Sequence, residues 1–123
     1  MAKTILVVDD SSMMRKIIIK NIQEAGFTVT TKEGANGQEG LDLFKLGGID
    51  CVITDWNMPI MDGITLIREI RKLDSGKTAS IFMVTTEGSA EKVKEAIMAG
   101  ASNYLVKPFT PDLLKAKLTK VLA

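Results

Sequence analysis

The segment Ile5-Leu6-Val7-Val8-Asp9-Asp10-Ser11-Ser12 carries the clearest structural signal in the chain. Its consecutive apolar residues, mostly β-branched, read as a strand buried on both faces, as in a parallel sheet. Two acids and two hydroxyls follow without a gap, so the strand runs straight into a polar loop. Working outward, segments of similar character recur about 20–30 residues apart, at Phe27–Thr31, Cys51–Thr54, Ile81–Thr85 and Tyr104–Val106. Only Phe27–Thr31 alternates, with Phe27, Val29 and Thr31 on one side, which places it at a sheet edge.

Helical periodicity fills the intervals. It is carried by Met14, Ile17, Ile18, Ile22 and Ala25, then by Leu41 and Phe44, and by Ile64, Ile67 and Ile70. Val93, Ala96 and Ile97 continue it, as do Leu114, Leu118 and Val121. Gly26 and Gly100 fall where glycines end helices, and Thr110-Pro111 reads as a cap followed by a first-turn proline. Strand and helix alternate throughout. The pattern predicts an α/β domain of (βα)5 type, doubly wound, with helices on both faces of a five-stranded parallel sheet.

Composition narrows the function. The 123 residues suit one domain, expected over 1–123, with no linker, repeat or effector domain attached. Sixteen basic and fifteen acidic residues leave a net charge of +1, which argues against a nucleic-acid binder, since such proteins usually need a basic face. No apolar run is long enough to span a membrane. The N-terminal stretch lacks signal-peptide character, and the single cysteine, Cys51, fits a reducing cytoplasm. The chain contains no histidine. That excludes Ser-His-Asp and Cys-His catalysis, His-containing zinc sites and a phosphohistidine carrier.

Ligands of parallel α/β sheets bind at the carboxyl ends of the strands. There the sequence places Asp9, Asp10, Ser11 and Ser12; then Asp55 with Trp56-Asn57-Met58-Pro59; then Thr85, Thr86 and Glu87; then Lys107-Pro108. Each has a plainer reading. Asp10 or Ser11 can cap a helix, Asp55 can open a turn, Thr85 and Thr86 can be strand end and cap, and Lys107 can be a surface lysine. Together these readings fail to explain why three acids crowd one edge. A hard divalent cation relieves that repulsion, and oxygen ligands without His or Cys point to Mg²⁺. The nearby lysine and threonine then suit phosphate oxygens, beside a carboxylate nucleophile.

The glycines of Gly34-Ala35-Asn36-Gly37-Gln38-Glu39-Gly40 follow the second strand, where a dinucleotide fingerprint would follow the first. They read as a turn and helix start. The seven methionines read mainly as core and gap filler.

These residues resemble the receiver domains of bacterial two-component signalling. The match runs through Leu6-Val7-Val8-Asp9-Asp10, Asp55-Trp56-Asn57-Met58-Pro59, Met61-Asp62-Gly63, Met83-Val84-Thr85, Glu87, Gly100-Ala101-Ser102, Tyr104 and Lys107-Pro108-Phe109-Thr110. Trp56, Tyr104 and the Lys-Pro-Phe-Thr run are similar to single-domain chemotaxis response regulators of the CheY type. Ser11 departs from some flagellar regulators, which carry an aromatic after the acid pair.

The resemblance implies a flavodoxin-like sheet of order 2-1-3-4-5. It implies a phosphoryl switch rather than an enzyme, phosphorylated on Asp55 by a sensor histidine kinase or small donors, and able to dephosphorylate itself. Asp10, Asp55 and the Asn57 carbonyl would ligate Mg²⁺, with Asp9 acting through water. Lys107, Thr85 and the N–H groups of Trp56 and Thr86 would meet the phosphoryl oxygens. Asn57 and Glu87 would tune its lifetime, and Thr85 and Tyr104 would form the switch. The Lys107–Pro108 bond is expected to be cis, and Tyr104 to turn from exposed to buried on phosphorylation.

A monomer is expected, binding the flagellar motor switch or another target, with a phosphatase as a further candidate partner. The target face comprises the fourth helix, fifth strand and fifth helix, with Val93, Tyr104 and Val106 apolar and Lys117 and Lys120 as a basic rim. An amphipathic, net acidic helix would suit it. The rivals are a receiver from another pathway, a Mg²⁺-dependent aspartyl phosphatase and a flavin carrier. Such phosphatases resemble this pattern but carry Asp where Asn57 stands. The acidic first loop and few aromatics disfavour flavin.

Overall fold

The alternation of buried side chains along each central strand dictates the layering. A computed structural model describes residues 3–122. Its strands are β1 (Lys3–Val8), β2 (Val29–Gly34), β3 (Cys51–Thr54), β4 (Ser80–Thr85) and β5 (Asn103–Val106). The helices are α1 (Ser12–Glu24), α2 (Gly37–Lys45), α3 (Gly63–Lys72), α4 (Ala90–Ala99) and α5 (Pro111–Leu122), with a short 3-10 turn at Asp74–Gly76. All strands are parallel, in the order β2-β1-β3-β4-β5. This is the (βα)5 sheet that the residue pattern predicted, in the flavodoxin-like order that the resemblance implied.

Successive side chains of a strand point to opposite faces, so an apolar run feeds two cores. Leu6, Val8, Val52, Ile81 and Met83 pack with Leu41, Phe44, Ile67, Ile70 and Ala96, under α2, α3 and α4. Ile5, Val7, Ile53, Phe82 and Val84 pack with Ile18, Ile22, Leu114 and Leu118, under α1 and α5. Each helix start has its own polar stop. Ser11, Asn36, Asp62 and Ser89 side chains accept from backbone N–H groups three residues on, at 3.2, 2.9, 2.9 and 3.2 Å. The Thr110 hydroxyl accepts from the Leu113 N–H at 3.2 Å before Pro111 opens α5. Gly26 and Gly100 both have positive φ, 89° and 121°, at helix ends.

Two readings need correction. The second strand begins at Val29, not Phe27, and continues through Thr31, Lys32 and Glu33 to Gly34. Gly26 sends the chain into a short connection in which Phe27 packs against the α1/α5 core instead of joining the ladder. As an edge strand paired only to β1, β2 tolerates the polar residues that masked it. Ile17 is exposed rather than facing the core. The methionines do serve mainly as core and gap filler: Met83 is fully buried and Met14, Met58 and Met61 pack half-buried against the two cores, whereas Met13 and Met98 are exposed and Met1 lies outside the described residues. The Asn36-Gly37 segment is the turn and helix start expected, with Gly37 N–H donating to the Met61 carbonyl at 3.0 Å.

Candidate functional site at the carboxyl edge of the sheet

The ladder hydrogen bonds continue past the strand ends and place the polar residues in a row. Asp55 N–H donates to the Val8 carbonyl at 3.0 Å, and Asp9 N–H to the Gly34 carbonyl at 3.1 Å. Lys107 N–H donates to the Thr85 carbonyl at 2.7 Å. Strand order then sets what must bridge what. Asp55 follows β3 and Lys107 follows β5, two strands away, with β4 and Thr85 between. Only a long side chain crosses that gap. Lys107 does so, and its Nζ lies 3.1 Å from both Asp9 Oδ2 and Asp55 Oδ2.

The acids differ in exposure. Asp9 is buried, 2% exposed, and its other oxygen accepts from Ser11 N–H at 2.9 Å. Asp55 is half-buried, and its Oδ1 accepts from Trp56 N–H at 2.6 Å. Asp10 is exposed. One oxygen from each of Asp9, Asp10 and Asp55 lies within 4.8 Å of the others. Such a set of hard, anionic oxygens matches a divalent cation of the Mg²⁺ kind. The loop behind Asp55 is held by close approach. Gly63 N–H donates to the Trp56 carbonyl at 2.8 Å, and a Cβ at Gly63 would strike the Asp55 carbonyl.

Thr85 is fully buried, and its Oγ1 accepts from Glu87 N–H at 3.3 Å. The Tyr104 hydroxyl donates to the Glu87 carbonyl. The Glu87 backbone therefore stands between the two residues that the sequence paired directly. Tyr104 is half-buried rather than exposed. Burial first, then the carboxylates of Glu87, Asp55 and Glu95, raise its phenol above the ordinary value. The Lys107–Pro108 bond is cis, as expected.

The remaining candidates fall around this row. Asn57 and Thr86 are exposed at the rim, and Ser89, not Thr86, caps α4. Ser11 does cap α1, so its plain reading stands beside the site. Val106 is exposed, while Val93 and Lys117 are half-buried and Lys120 is exposed. Lys117 and Lys120 line a 130 Å³ hollow with Asn103, Leu113 and Ala116. Sequence reasoning missed Leu113, which lies outside the core periodicity of α5. It also missed Arg15, which donates to the Asp9 carbonyl and pairs with Glu33 at 3.0 Å. Its position one turn beyond the acid pair was the available signal.

A row of acids and one bridging lysine on a 2-1-3-4-5 sheet defines a class, and residues 5–119 match the response regulator receiver domain. The chain belongs to that family. Within it, the chain is similar to chemotaxis protein CheY-3 of Vibrio cholerae, with 44% identity over 95% of this chain and 89% of the relative. The solved structure of Vibrio cholerae CheY4 superposes with a TM-score of 0.90 at 36% identity, covering 99% of this chain and 100% of that one. CheY in the CheX–CheY–BeF3–Mg complex of Borrelia burgdorferi gives 0.88 at 30% identity, covering 98% and 90%.

Proposed function

We propose that the chain is a stand-alone response regulator that accepts a phosphoryl group on Asp55 and, so modified, binds a target protein. The observation carrying this is the Lys107 ammonium 3.1 Å from both Asp9 and Asp55, at the edge where this fold binds ligands. An Asp55 oxygen attacks phosphorus, the P–N bond to a kinase phosphohistidine breaks as a P–O bond forms, and the proton stays with the leaving imidazole. Lys107 offsets the charge carried by the phosphoryl oxygens. Trp56 and Thr86 N–H groups and the Thr85 hydroxyl supply donors. Asp10, Asp55 and the Asn57 carbonyl would hold Mg²⁺, with Asp9 acting through water; bound there, the ion neutralises negative charge on the transferring group. Asn57 and Glu87, two residues after Asp55 and Thr85, tune how long the group persists.

The output face is that of α4, β5 and α5, with Val93, Tyr104 and Val106 offering apolar contact and Lys117 and Lys120 the rim. Likeness to proteins named for chemotaxis favours the flagellar motor switch as target. The reading takes the chain to act as a one-domain, monomeric, cytoplasmic carrier, the first of these in keeping with relatives of similar length. Among the described residues no helix is long and apolar enough to cross a membrane. Labelling with a small phosphodonor tests the reading. It is expected to need Mg²⁺ and to vanish in Asp55→Asn; stoichiometric labelling of that variant, or full-rate labelling in EDTA, would overturn it.

A further inference from the structure

Trp56 follows the proposed acceptor and is the single tryptophan of the chain. Its indole is 6% exposed, packed in the core beneath α2, α3 and α4. Its backbone is tied at both ends, with N–H donating to Asp55 Oδ1 and its carbonyl accepting from Gly63. Against the ring stands a cation. Lys92 Nζ lies 4.8 Å from the ring centroid, inside cation–π range. Lys92 belongs to the first turn of α4, where its own N–H donates to the Ser89 cap at 3.2 Å. A positive charge in a first turn opposes the helix dipole. Its carboxylate neighbour Glu95 is 3.9 Å away, at the limit of an ion pair. The tryptophan face therefore gives this lysine its best-placed attraction.

We propose that Lys92 is a positioning residue for phosphoryl acceptance. Its ammonium holds the Trp56 ring against the core and so fixes the Asp55–Trp56 peptide, keeping the Trp56 N–H aimed at the acceptor's oxygens. This rests on the reading of Asp55 as phosphoacceptor. Rotating that peptide requires the ring to rock, and packing on one side with a charge on the other resists rocking. A donor aimed in advance stabilises incoming charge better than one that must first reorient. The same contact ties the first turn of α4 to the acceptor loop by a route that bypasses Thr85 and Tyr104.

The experiment is calorimetric binding of beryllofluoride, a phosphoryl mimic, to the full chain in excess Mg²⁺, with Trp56 emission recorded alongside. Lys92→Met keeps the aliphatic stem and removes the charge. It is expected to weaken mimic binding about threefold, the scale of a partly exposed cation–π contact, and to shift the emission of Trp56. Lys92→Arg is expected to restore both. Lys94→Met, a lysine of the same helix on its exposed side, is expected to match the unsubstituted protein. Equal mimic affinity in Lys92→Met and the unsubstituted protein, or equal losses in Lys92→Met and Lys94→Met, would overturn the proposal. Mimic binding by Asp55→Asn at full affinity would instead overturn the phosphoacceptor reading on which it stands.

Discussion

The Tyr104 hydroxyl donates to the backbone carbonyl of Glu87, the same residue whose N–H donates to Thr85. One peptide segment thus joins the buried hydroxyl beside the proposed acceptor to the aromatic ring on the proposed output face. Movement of Thr85 toward a phosphoryl group would release one end of that segment and leave Tyr104 holding the other.

Tyr104 gives a pH signature. Its folded-state pKa lies above the ordinary 10, through burial and then the surrounding carboxylates. A raised value favours the neutral form in the fold, so its contribution is full below pH ~10 and is lost as pH rises through the folded value. Absorbance titration is expected to place the phenolate midpoint above 10, and Tyr104→Phe to remove this alkaline component from denaturation curves. At neutral pH that variant should lose about 0.5–1.5 kcal/mol for the missing hydrogen bond.

Asp10 is expected to oppose stability in the absence of metal. It is exposed, clustered with Asp9 and Asp55, and has no ion-pair partner among the described residues, whereas Lys107 serves the other two. Asp10→Asn should stabilise the metal-free protein by about 0.5–1 kcal/mol, the scale of a surface charge contact. Mg²⁺ is expected to raise the melting temperature of the unsubstituted protein, and the same change should abolish that rise. Thermal melts with and without Mg²⁺ check both.

Arg71 is expected to matter as much as a core residue. From the end of α3 it donates to the carbonyls of Gly76, Ala79 and Gly100, at 2.8, 2.6 and 2.7–2.9 Å, and reaches the Ser102 hydroxyl at 3.2 Å. Burial lowers its pKa. Arg71→Lys keeps the charge but lacks the planar fork, and should cost about 2–3 kcal/mol in a denaturant titration by leaving carbonyls unpaired.

Cys51 is expected to be inert. Burial, with Asp50 adding to it, pushes its thiol up to about 12. At pH 8 a thiol reagent should modify it only under unfolding conditions, since the thiolate is the reacting form.

The sheet was legible because its central strands are buried on both faces and leave unbroken apolar runs, as Ile5–Val8 and Ile81–Thr85 do. β2 was misplaced because an edge strand needs no such run, and Thr30 to Glu33 resemble a loop. The acids, Thr85 and Lys107 were legible because this fold sends every strand's carboxyl end to one edge. Backbone roles were not. Arg71 looks like an ordinary charge on a helix end, and its partners are carbonyls that every residue possesses. The Lys92–Trp56 contact joins residues on separate elements, and no local pattern announces it.

The bridge from Lys107 to Asp9 closes a loop of 98 residues. Asp9 follows the interior strand β1, whereas Lys107 leaves β5 at the far edge of the sheet. The acid cluster therefore receives its counter-charge only when β3, β4 and β5 are all in place. A chain still emerging during synthesis, or cut before β5, carries the carboxylates without the ammonium that completes them. On the proposed reading of Asp55 as phosphoacceptor, a copy lacking β5 would therefore lack the ammonium that phosphoryl acceptance calls on.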